Sequence, residues 1–205
     1  MDTELEKKLL EQVMQSGDSE SSLLELIDFY KQADVPEKAV PYLIKLFSNA
    51  EDVEKAAYFC IGMGAEMEYH EEYEQAIWFY SCGLSRQPQT TDILYFLNNN
   101  MGYSLIMIGR HTEAEGYCEK AIYLNPNRHN AFKNLGLSLQ GQGRYAEAAE
   151  NFMQAVRNCS VAFDPRALNH LEDLLLNHPE VMSEIDGIKE FLSEYEPKRK
   201  DRKLH

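Results

Sequence analysis

Tryptophan occurs once and cysteine four times in this 205-residue chain. The four cysteines (Cys60, Cys82, Cys118 and Cys159) lie far apart and form no C-x-x-C pair. That spacing argues against a zinc knuckle or a dithiol redox centre, and it reads as reduced thiols in a cytoplasmic protein. Basic residues are scarce too: 20 Lys and Arg stand against 34 Asp and Glu, for a net charge of −14. Residues 198–205 (KRKDRKLH) hold five of those bases and one acid, so the first 197 residues carry −18. A body that acidic repels nucleic acid and anionic membrane surfaces, and it favours basic or neutral partners. No apolar run approaches the ~18 residues needed to span a bilayer. The longest candidate, Ile93 to Ile108, is interrupted by Asn98, Asn99 and Asn100. The opening MDTELEKKLLEQV mixes acids with lysines and lacks the apolar centre of a signal peptide. Neither H-E-x-x-H nor a phosphate-cradling glycine loop occurs, and His70-Glu71-Glu72 reads as a solvated turn. The expectation is a chain with no catalytic residue, no metal and no cofactor.

What the chain has in abundance is helical pattern, with no sustained strand alternation. Leu5, Leu9 and Val13 make an apolar stripe on a first helix, about Thr3 to Gln15. Helices follow at about 19–33, 36–49, 53–69, 72–85, 92–109, 112–125, 127–142, 145–157, 165–177 and 179–195. Pro36 and Asp164-Pro165 read as helix openings, and Asp92 as a cap. Thr112 and Glu115 have the spacing of a capping box. The last helix places Val181, Ile185, Ile188 and Leu192 on one face.

Within this pattern a set of residues recurs at an interval of 34. Gly102 returns as Gly136, Leu105 as Leu139, Gly109 as Gly143, Ala114 as Ala148 and Ala121 as Ala155. One unit earlier Met63-Gly64, Met67, Ala76, Tyr80, Gly83 and Pro88 precede their counterparts by 38, so four extra residues fall between Pro88 and Tyr95. A fixed period of this length is the signature of stacked helical hairpins. Gly64, Gly102 and Gly136, with Ala76, Ala114 and Ala148, are the small residues that let two helices cross closely.

FKNLGLSLQGQGRYAEAAENFMQA resembles the unit of the tetratricopeptide-repeat family, with Phe132, Leu135-Gly136, Leu139, Ala148, Phe152 and Ala155 at its marked positions. The resemblance implies an all-α fold: a right-handed α-solenoid of antiparallel helix pairs with capping helices at both ends. It places clear repeats at about 57–90, 95–128 and 129–162 and degenerate ones at about 20–53 and 164–196. The expected organisation is one solenoid over residues 1–197, followed by a basic tail at 198–205. The tail reads as a solubilising end or an interaction arm.

In such a solenoid the first helix of each pair lines the inner groove. Those positions hold Tyr58 and Tyr69, then Phe96, Asn99, Asn100, Tyr103 and Met107, then Lys133 and Asn134. Asn100 and Asn134 share one inward position, where the resemblance implies that asparagine grips a ligand's backbone. An amide offers a donor and an acceptor together, which matches a peptide group. Asn169, 35 residues after Asn134, is a candidate third rung. A solvated helix face is the competing reading for the asparagines, and packing between repeats for the aromatics. Lys and Arg are missing from the inward positions where some members clamp a terminal carboxylate. The function expected is a protein–protein interaction module (adaptor, assembly factor or chaperone) holding an extended or helical segment with basic or apolar residues. The alternative is a homo-oligomeric scaffold joined through the Leu5 and Val181 stripes.

Overall fold

The computed structural model describes residues 2–33, 35, 38–49, 52–159 and 165–202. Among these residues the regular structure is helical and no strand occurs. The chain divides into two compact units, residues 1–56 and 57–205.

The first unit holds α1 (Thr3–Gln15), α2 (Glu20–Gln32) and α3 (Val40–Asn49). Asp2 caps α1, its carboxylate accepting from the Glu4 and Leu5 amides at 3.1 and 3.2 Å. Leu9 and Val13 of the first stripe are buried, together with Leu23, Leu26, Ile27 and Tyr30 of α2 and Leu43 of α3. The Tyr30 ring stacks on Tyr42 at 5.9 Å. Its hydroxyl donates to Glu6 at 3.1 Å, and Lys38 pairs with the same carboxylate at 3.0 Å.

The second unit takes in most of α4 (Val53–Tyr69), then α5 (Tyr73–Ser85), α6 (Thr91–Met107), α7 (His111–Leu124), α8 (His129–Gly141), α9 (Tyr145–Arg157), α10 (Pro165–Asn177), α11 (Val181–Glu184) and α12 (Ile188–Arg202). α4–α5, α6–α7 and α8–α9 are antiparallel pairs stacked side by side, the arrangement expected of an α-solenoid. α6 packs on α7 and α8, α8 on α9, and α9 on α10. The repeated glycines sit at the crossings. A methyl group on Gly64 would strike the Tyr80 ring, and one on Gly136 would come within 2.5 Å of the Phe152 ring. On Gly102 it would meet the Cys118 sulfur at 2.6 Å. So Tyr80, Cys118 and Phe152 are the knobs that fill the gap each glycine leaves.

Each hairpin turns in the same way. The Glu72, Arg110 and Arg144 amides reach back to the carbonyls of Met67, Leu105 and Leu139 at 2.8, 2.9 and 3.0 Å. The residue before each is left-handed: Gly109 and Gly143 both at φ +77°, but Glu71 at +61° in the first hairpin. The four extra residues lengthen α6 by a turn, to 17 residues against 13 in α8.

Several local expectations are corrected. Asp92 is not a cap: the residue preceding α6 is Thr90, and Asp92 pairs with Arg128 at 3.1 Å. Thr112 lies inside α7, so no capping box forms there, and Glu115 turns instead to Arg144 at 2.6 Å and Gln142 at 2.9 Å. The last helix is two, because Ile185 is extended and Gly187 takes φ +76°. α12 carries the helical backbone on to Arg202, through most of the segment read as a basic tail. Pro36, Asp164 and residues 203–205 lie outside the described residues.

Candidate functional site: the face of α4, α6 and α8

Two side-chain bridges tie the first helices of successive pairs together. Between α6 and α8, Asn134 donates through Nδ2 to the side-chain oxygen of Asn99 at 3.1 Å and to its carbonyl at 3.3 Å. Asn99 passes the chain on, donating to Asn100 Oδ1 at 3.0 Å. Asn134 is only 2% exposed, and its own Oδ1 is buried without a hydrogen-bond partner. The three amides therefore form one row across two helices, ending at the partly buried Asn100. Lys133, beside it, is 9% exposed.

Between α4 and α6, the Ser104 hydroxyl donates to Glu68 Oε1 at 2.7 Å. Burial pushes the Glu68 carboxyl above its ordinary range, while the bond from Ser104 and the nearby Tyr80 hydroxyl pull the other way. The buried Tyr80 hydroxyl lies near both Glu68 and Asn100 without a hydrogen bond to either. Tyr103 stands over it, half-buried and edge-on to Tyr73 at 6.4 Å. Burial raises the Tyr103 hydroxyl, helped by Tyr73 and Glu68, while Arg166 of α10 lowers it.

Around this polar line lie apolar groups open to solvent. Tyr58 and Tyr69 are 68% and 82% exposed, and Phe96 and Met107 are partly so. Phe96 is held from one side by the Arg128 guanidinium, 4.7 Å from its ring. The structure thus places Asn99, Asn100 and Asn134 in one bonded row and sets Tyr103 beside it. Asn169 sits exposed on α10, and no hydrogen bond joins it to that row. Glu68 and Ser104 are the members that sequence reasoning missed. The signal was present: Ser104 recurs as Ser138, whereas Glu68 is replaced by Ile106 and Gln140 in the next two repeats.

Cys60 and Cys118 are buried, and burial pushes each thiol up to about 12, away from nucleophilic use. Among the described residues, no group of three or more His, Cys, Asp or Glu side chains is arranged to hold a metal, and no helix is long and apolar enough to cross a membrane.

Residues 97–128 and 131–157 each match a tetratricopeptide-repeat model. The photosystem I assembly protein Ycf3 of Acaryochloris marina is 29% identical over 136 residues, 66% of this chain and 76% of that protein. Sperm-associated antigen 1 of Rattus norvegicus is 28% identical over 96 residues, which span 47% of this chain but only 10% of that much longer protein. Among solved structures, residues 41 to the end of MamA from Desulfovibrio magneticus superpose with a TM-score of 0.62 at 16% identity, covering 85% of this chain and 93% of that one. At that identity the superposition speaks for the fold.

Proposed function

From the premise that this chain is a tetratricopeptide-repeat protein, of a family that mediates protein–protein interactions and is typically non-enzymatic, we propose that it holds a segment of a partner protein against α4, α6 and α8. The segment is extended or helical, with basic or apolar side chains. The protein acts as an adaptor, assembly factor or chaperone in the cytoplasm. The carrying observation is the bonded row Asn134–Asn99–Asn100 beside exposed aromatics. Asn99 and Asn134 fix the orientation of Asn100, whose amide meets the partner's backbone. Tyr58, Tyr69, Phe96, Tyr103 and Met107 supply apolar contact along the same face, and Lys133 and Asn169 border it. Ycf3 carries the name of an assembly protein, which fits this reading. The net charge of −14 favours partners with Lys or Arg.

The scaffold alternative has lost most of its contacts. Leu9, Val13, Val181, Ile185 and Ile188 are all buried in the chain itself. A decisive test is affinity capture from the source cells with the wild-type chain and with Asn100→Ala. The expected result is a small set of proteins held by the wild type and lost from the variant. An unchanged set, or a concentration-dependent oligomer and no captured protein, would overturn the reading.

A further inference from the structure

Glu68 is a carboxylate that the fold does not require. The repeats that follow put Ile106 and Gln140 at its position and form the same hairpin crossing. Nor does the equivalent serine need it. Ser138, the counterpart of Ser104, donates to the His111 carbonyl at 2.7 Å, while Ser104 turns to Glu68. One short bond from a neutral hydroxyl leaves most of the acceptor capacity of a carboxylate unused. No Lys, Arg or His side chain among the described residues forms an ion pair with Glu68. A partly buried carboxylate without a counter-cation raises the free energy of the folded chain. Its surroundings suit a cation: Tyr103 stands beside it with Tyr73 edge-on behind, and exposed Tyr69 follows it in α4.

We propose that Glu68 receives the side chain of a lysine or arginine from the segment bound along α4, α6 and α8. The ammonium or guanidinium pairs with the carboxylate, and its aliphatic stem lies against Tyr103. Ser104 holds the carboxylate in place by its hydrogen bond to Oε1. Asn100 engages the backbone close by, so the pair fixes which residue of the segment sits over α4. The acidic body brings such segments in, and Glu68 selects among them. This assignment rests on the reading of the face as a partner-binding surface.

The test is a selection of random 12-residue peptides on the immobilised full chain, followed by anisotropy titration of the selected peptides. The expected peptides share a Lys or Arg at one register. Replacing that residue with norleucine weakens binding to the wild type about tenfold or more. Glu68→Gln weakens the parent peptide by the same factor and adds no further loss with the norleucine peptide. The peptide substitution is read on the wild-type protein, so it stands even if the variant folds poorly. Peptides that need Asn100 but show no cation at a fixed register, or that bind Glu68→Gln unchanged, would sink the Glu68 assignment and leave the surface intact. Peptides that bind Asn100→Ala as well as the wild type would sink both.

Discussion

The hairpin α4–α5 and the hairpin α8–α9 are built to one plan, and three of their differences are instructive. Both cross at a glycine under a ring, Gly64 under Tyr80 and Gly136 under Phe152. Both close with the same backbone bond, from Glu72 to Met67 and from Arg144 to Leu139. But α4–α5 turns through Glu71 where α8–α9 has Gly143, and it has Gly83 where Ala155 stands. It also has Glu68 where Gln140 stands. The shared features are those the fold demands. The Glu71 difference costs stability and touches no ligand face. The Glu68 difference lies on the candidate binding face, which is why the partner's cation is proposed to meet the chain there.

The crossing should be the hardest feature to break. Gly136→Ala and Gly64→Ala force a buried ring to move and should each cost about 2–3 kcal/mol after the helix-propensity gain of alanine. Gly102→Ala meets a single thiol sulfur instead, which turns aside more easily, and should cost about 1 kcal/mol. Urea denaturation of the three variants checks the order. Equal losses would mean that the knobs do not set the spacing.

The turn comes next. Glu71→Gly should stabilise the chain by about 1 kcal/mol, because a non-glycine residue at φ +61° is strained. Gly143→Ala should destabilise by a similar amount. If Glu71→Gly left the melting temperature unchanged or lowered it, the two turns would not be equivalent.

Glu68→Gln should be neutral to stabilising, by up to about 1 kcal/mol at pH 7, since it removes a poorly paired, partly buried charge. The sign with pH follows from the raised carboxyl. Between the unfolded value and the higher folded value, the folded chain binds more protons than the unfolded one. Wild-type stability therefore falls as pH rises through that window, and the advantage of Glu68→Gln grows. Denaturation midpoints at several pH values would show this. A variant less stable at every pH would make Glu68 a structural residue. Glu115 behaves in the opposite sense: Gln142 and Arg144 lower its carboxyl, so its contribution disappears as pH falls.

The smallest effect is chemical. Cys82 and Cys159 are partly exposed and should react with a thiol reagent well before buried Cys60 and Cys118. Four equal rates would contradict the packing at the Gly102–Cys118 crossing.

Much of this comparison could be read before any coordinates. The interval of 34 between Gly102 and Gly136, and of 38 from Gly64 to Gly102, located the crossings and most helix limits. Those features were legible because steric need repeats with the hairpin. Features set by a single contact were not legible. Nothing in the sequence forces Glu71 into a left-handed conformation; the backbone bond from Glu72 does. The Asp92 and Thr112 caps failed because α6 and α7 begin one residue earlier than each, at Thr91 and His111, leaving Asp92 and Glu115 to pair with Arg128 and Arg144. The site was half legible. Asn100 and Asn134 stood out by register, yet the same register hid that Asn134 is buried and bonded to Asn99. Glu68 left no trace in the register, because Ile106 and Gln140 stand at its position in the next two repeats.

The central claim, that a partner segment lies along α4, α6 and α8, is tested most directly by hydrogen exchange with and without a selected peptide. Slowed exchange is expected in residues 57–69, 91–107 and 129–141, with α5, α7 and α9 unchanged. Slowed exchange confined to the second helices of the pairs, or to residues 3–49, would contradict it.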